Sequence, residues 1–215
     1  MTAPYPGNEP LTLTSHELQF MLSLEDSATA RANHELLNLP AAPEDSGILG
    51  AGAATLLVRG LAVATEGKFA LTEESGVVGY VLTHANVWTE IGLSSADISD
   101  GALLLTADDL TLLFTPRPMG IFDVMAVDPQ RKISDVILPL ASTFLDEGDN
   151  RLAVVRSAFG GGERSAAVMR TAESRWRTAV DIPRPADDGA GLRESDYVDA
   201  DRKAALNLLL SVVAS

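Results

Sequence analysis

Apolar and polar positions along this chain follow two periods, one helical and one strand-like, and the period changes where turn residues stand. Thr14-Ser15-His16-Glu17 matches a capping box, in which the Thr14 hydroxyl accepts the Glu17 amide while Glu17 reaches back. Leu13 and Leu18 sit where a hydrophobic staple would, and Leu18, Met21 and Leu22 continue as one apolar helical face. A polar, proline-bearing loop covers Leu39 to Gly47. The spacing of Ala53, Leu56, Leu57 and Gly60 predicts a second helix over Leu49 to Arg59. Leu61 to Thr65 and Lys68 to Leu71 suit a short hairpin around Glu66-Gly67. Thr72 is placed to cap a further helix ending near His84, against the poor helix propensity of Gly76 and Gly79.

From Val87 onward strands dominate. Val87 to Leu93 reads as a strand. Ala102 to Thr106 and Leu110 to Thr115 flank the turn pair Asp108-Asp109, and with Gly120 to Val127 they form an antiparallel meander. Ser134 is expected to cap a helix over Asp135 to Asp146, with Pro139 near its first turns, where a proline does least damage. Arg151 to Phe159 is another strand, followed by a Gly160-Gly161-Gly162 loop. Ser165 to Thr171 and Ser174 to Ile182 make a hairpin whose second strand puts Trp176, Thr178 and Val180 on one face and Glu173, Arg175 and Arg177 on the other. A polar loop, Pro183 to Glu194, leads to a final helix over Asp199 to Val213. The sum is an α+β fold, a central antiparallel sheet with flanking helices and a winged-helix-like N-terminal part. It is read as a single domain, 1–215, with a helical lobe over 11–85 and a sheet and helix lobe over 86–215.

Charge changes what the first lobe can be. Up to Val58 the one basic side chain is Arg31, set against Glu9, Glu17, Glu25, Asp26, Glu35, Glu44 and Asp45. The order helix, strand, turn, strand, helix over Leu61 to Gly76 looks like the wing of multiple-antibiotic-resistance-class regulators. There, the helix before the wing enters the major groove and needs Arg or Lys on its exposed face. Here that helix offers Arg59 alone, at its end, and the wing offers Lys68. The whole chain has 16 basic and 30 acidic side chains, a formal charge of −14, which disfavours nucleic acid and anionic membranes.

No chemistry-bearing motif replaces DNA binding. There are no cysteines, so disulfides, thiolate metal sites and a cysteine nucleophile are excluded, and the chain fits a reducing compartment. His16, His34 and His84 have no shared metal spacing. His16 reads as surface, His34 as part of a polar helix end, and His84 as a partly buried packing residue. Gly50-Ala51-Gly52 lacks the preceding strand and third glycine of a dinucleotide fingerprint, so close helix packing explains it better. The expectation is a protein that is not an enzyme and takes no metal or cofactor. Met1 to Pro10 lacks the basic and apolar regions of a signal peptide, and no apolar run approaches the ~20 residues of a membrane helix, so a cytoplasmic protein is expected. The local cationic cluster, Arg170, Arg175 and Arg177 with Arg164, is either a solvated sheet face paired with Glu173 or a docking face for an acidic partner. Trp176, pointing the other way, reads as core.

Taken whole, the segment order resembles the EspG family, cytosolic chaperones of type VII (ESX) secretion. Leu11-Thr12-Leu13-Thr14-Ser15-His16-Glu17-Leu18 is similar to the family's opening strand entering a helix, and Val58-Arg59-Gly60-Leu61 resembles its helix closing on Arg-Gly-Leu. The meander Ala102 to Val127 with its following helix, and the hairpin Arg175 to Ile182 with a leucine-rich terminal helix, fit the same order. The loop Asp187 to Asp196 departs from the family's glycine–arginine–tyrosine pattern. The resemblance implies a non-enzymatic protein-binding chaperone that covers an aggregation-prone apolar surface of a helical secreted client, of the PE–PPE type. The alternative left open is a transcriptional regulator or sensor with a degenerate winged-helix N-terminus.

Overall fold

A computed structural model describes residues 9–41, 43, 47–159, 162–182 and 193–213. The predicted loop Pro183 to Glu194, the Gly160-Gly161-Gly162 loop and the N-terminal Met1 to Pro10 lie for the most part outside the described residues. In chain order the elements are β1 (Leu11–Thr14), α1 (Ser15–Ser23), α2 (Ala28–Leu36), α3 (Ile48–Val58), β2 (Ala62–Thr65), β3 (Lys68–Leu71), α4 (Glu73–His84), β4 (Val87–Ser94), β5 (Ser99–Ala107), β6 (Leu110–Arg117), β7 (Ile121–Ala126), α5 (Ser134–Asp146), β8 (Arg151–Phe159), β9 (Gly162–Arg170), β10 (Trp176–Val180), β11 (Val198–Ala200) and α6 (Arg202–Val212). The fold class is α+β with antiparallel sheet, as the sequence predicts, and the chain forms two compact units, residues 1–86 with 103–129 and residues 87–102 with 130–215.

In the first unit the strands run in the order β1-β7-β6-β5, each antiparallel to its neighbours. The register pairs Leu13 with Phe122, Phe114 with Val124 and Leu105 with Leu112, so these buried side chains share one face. Leu18 and Met21 of α1 and Val78, Val81 and Leu82 of α4 are buried with them. The capping box at Thr14 is present: its hydroxyl accepts the Glu17 amide at 3.2 Å and its amide donates to Glu17 Oε2 at 2.8 Å. β2 and β3 form the expected hairpin, and both turn residues, Glu66 and Gly67, adopt positive φ as a tight two-residue turn requires. Thr72 stands at the start of α4, but its hydroxyl donates to Leu61 O at 3.2 Å and makes no bond to the helix amides.

The second unit orders its strands β4-β8-β9-β10-β11, again antiparallel throughout. Ile91, Ala153, Val155, Ala166 and Val168 form its buried face, against which α5 and α6 pack. Ala167, Ala179, Ile182 and Tyr197 make a smaller buried cluster with Leu152, Val154 and Met169. α5 begins differently from the expectation. Ser134 lies inside the helix and Ile133 takes the cap position, without a side-chain cap. Pro139 has no amide to give the carbonyl four residues back, and that carbonyl, Asp135 O, accepts from Arg131 Nη2 at 2.9 Å.

Candidate functional site

α3 is built from small and branched apolar residues, with no charged side chain between Ile48 and Val58. Its N-terminus follows Gly47, at φ +70°, without a side-chain cap. Only Gly52 and Leu56 are buried. Gly52 lies against α1 so closely that a Cβ there would stand 2.2 Å from His16 O. Phe20 of α1 meets Phe69 of β3 edge to face, with ring centroids 4.9 Å apart, which ties the hairpin to the same helix. Ile48 and Ala53 are half-buried, whereas Leu49 and Leu57 are exposed and Val58 is 88% exposed; on β2, Val63 is 51% exposed. A helix apolar on all sides is normally buried on all sides, and α3 departs from that by leaving several apolar side chains in water.

Arg59, which follows α3, does not extend this surface. Its guanidinium turns back onto Glu17, with Nη1 2.8 Å from both carboxylate oxygens, and Nη2 donates to Thr12 O at 2.6 Å. Glu17 is fully buried and Arg59 is 37% exposed. The pair also covers part of the outer edge of β1, since two of its backbone groups, Thr12 O and Thr14 N, are bonded to Arg59 and Glu17. An added strand would find those groups taken. The one arginine that a groove-reading helix would need is therefore a structural residue.

The hairpin arginines do not form one face. β9 and β10 pair Arg170 with Trp176, so Arg170 shares the Trp176 face, whereas Arg177 lies opposite Met169 and Asp199 on the other. Arg170 reaches the end of α5, donating at 3.3 Å to Leu145 O and Asp146 O, and pairs with Asp149 at 3.0 Å. Trp176 is half-buried between the guanidiniums of Arg170 and Arg202, 5.8 and 6.0 Å from its ring centroid, and is not a core residue. Arg177 donates to Tyr197 O at 3.0 Å and lies 3.4 Å from Asp199. Arg175 precedes β10 and remains exposed, 3.5 Å from Glu173. Arg164 lies over the Phe159 ring. The Arg202 guanidinium holds the Asp146 carboxyl below the ordinary carboxylate range through a direct hydrogen bond. A depressed carboxylate stabilises the fold above its unfolded-state pKa and loses that contribution as pH falls through the folded value. Arg202→Gln is expected to raise the Asp146 titration toward the ordinary range, read by carboxylate NMR.

The three histidines stand apart. His16, in the first turn of α1, is exposed, and His34, near the end of α2, is half-buried. His84 closes α4 on the surface rather than in the core, stacked on Tyr80 at 4.4 Å with Nε2 3.6 Å from Glu25. Among the described residues no group of three or more His, Asp and Glu side chains is gathered to hold a metal ion, and no helix is long and apolar enough to cross a membrane.

This α+β architecture is one already seen among solved structures. It matches the structure of the Mycobacterium tuberculosis type VII secretion system chaperone EspG5 in complex with a PE25–PPE41 dimer, with a TM-score of 0.57 over 96% of this chain and 97% of that one. Sequence identity is 10%, so the likeness is one of fold. No protein-family model matches the chain, and no curated protein sequence does.

Proposed function

We propose that this chain is a cytosolic, non-enzymatic, EspG-like binding protein that shields the apolar surface of a helical secreted client. The observation that carries the reading is that α3, a helix without a charged side chain, leaves Leu57 and Val58 exposed near its end and Leu49 exposed near its start. Such side chains gain free energy by excluding water against another apolar helix and gain nothing from phosphate. The fold shared with EspG5, whose solved structure contains a bound PE25–PPE41 dimer, supports the same direction. The winged-helix order α3, β2, β3, α4 is present, but α3 presents no cation and Arg59 is held by Glu17. That favours protein contact over the regulator reading.

The test is binding of a PE–PPE-type pair from the same genome to Leu57→Asp and Val58→Asp variants. Val58 is exposed, so Val58→Asp leaves folding intact and is expected to weaken client binding by about tenfold or more. Undiminished binding by both variants would move the interface off α3. Salt-sensitive binding to duplex DNA by the unaltered protein would favour the regulator.

A further inference from the structure

Beside β1 and α4 the first unit holds an open cleft of about 230 Å³. Leu11, Val77, Val78, Leu112 and Val124 supply apolar walls, and Glu9 and Glu74 are the ionisable groups that line it. Both carboxylates are exposed, and neither has a hydrogen-bond or ion-pair partner among the described residues. The arginines of this unit are engaged elsewhere, Arg31 with Asp26, Arg59 with Glu17 and Arg117 with Asp123. The start of α4 does not make the cleft an anion site, because Glu73 and Glu74 already answer its positive end.

Aliphatic walls with free carboxylates select a chain that is apolar along its length and cationic at its tip. An anion would be repelled, and a neutral alkyl group would leave both carboxylates unanswered. Lysine fits better than arginine: three donors on a compact charge can reach two separate carboxylates, whereas a planar guanidinium is matched to one. We infer that this cleft binds the alkylammonium side chain of a lysine presented by a protein partner, its methylenes against Val77, Val78 and Val124 and its ammonium at Glu9 and Glu74. The inference rests on the cleft and is independent of the α3 face.

The experiment titrates the full chain, observed by backbone NMR, with an alanine–glutamine helical peptide carrying one lysine and with the same peptide carrying norleucine. The lysine peptide is expected to bind about tenfold tighter, with shifts centred on Val77, Val78, Leu112 and Val124 and with weakening in high salt. In the Glu9→Gln/Glu74→Gln double variant the difference between the peptides should vanish. Because both side chains are exposed and unpartnered, that variant keeps its fold, which a thermal melt checks. Equal binding of the two peptides, shifts centred elsewhere, or a difference that survives in the double variant would overturn the assignment. Free cadaverine binding more tightly than the lysine peptide would overturn the protein source.

Discussion

Replacing Arg59 with alanine is expected to cost about 3 kcal/mol of stability, the scale of leaving a buried carboxylate without its partner. Glu17 is fully buried and takes both Arg59 contacts at 2.8 Å, so removing the guanidinium takes the charged partner from a carboxylate that keeps only the Thr14 amide and hydroxyl as donors. The substitution also exposes Thr12 O at the free edge of β1. Adding Glu17→Gln to Arg59→Ala should recover much of the loss, because the uncompensated charge is then gone. Arg59→Lys should fall between the two, keeping the charge but unable to serve both Glu17 and Thr12 O. Chemical denaturation of the four proteins measures this directly. A loss of only a few tenths of a kcal/mol for Arg59→Ala, the scale of an exposed ion pair, would show that Arg59 is a surface residue after all.

Gly52→Ala is expected to destabilise the protein by about 2–3 kcal/mol, the range of an overpacked interior. The added methyl would sit 2.2 Å from His16 O and 2.9 Å from Phe20 Cβ, so α1 and α3 would have to separate. Gly50, two residues earlier on the same helix, has nothing within 4 Å of its would-be Cβ, and Gly50→Ala should stabilise by about 0.5–1 kcal/mol through helix propensity. The opposite signs at two neighbouring glycines are the signature of one closely packed helix face and one open face. Equal effects at both positions would contradict that geometry. Thermal melts of the two variants decide it.

What the sequence made legible was local. The capping box at Thr14, the Glu66-Gly67 hairpin and the meander around Asp108-Asp109 all depend on residues within a few positions of one another, and all are present. The partner of β1 could not be read, because Leu13 pairs with Phe122 across more than a hundred residues. The arginine cluster was misread for a related reason. Alternation along β10 correctly separates Trp176 from Arg177, but the register across the turn decides which face Arg170 joins, and it joins Trp176. Ser134 is a favourable cap by composition, yet the helix starts with Ile133 at the cap. The apolarity of α3 was visible in Ile48 to Val58, but its exposure was not, since a buried helix and a docking helix share that composition. The meaning of Arg59 likewise waited on Glu17, forty-two residues away in the chain.

The most direct test of the binding claim is a photo-crosslinking amino acid placed at Val58 in the protein produced in its native cells, with mass spectrometry of the adduct. The account predicts a crosslink to a helical secreted protein, with a second probe at Arg175 giving little or none of it. Adducts to that client at Arg175 but not at Val58, or no protein adduct at Val58 at all, would contradict the assignment of α3 as the face that holds it.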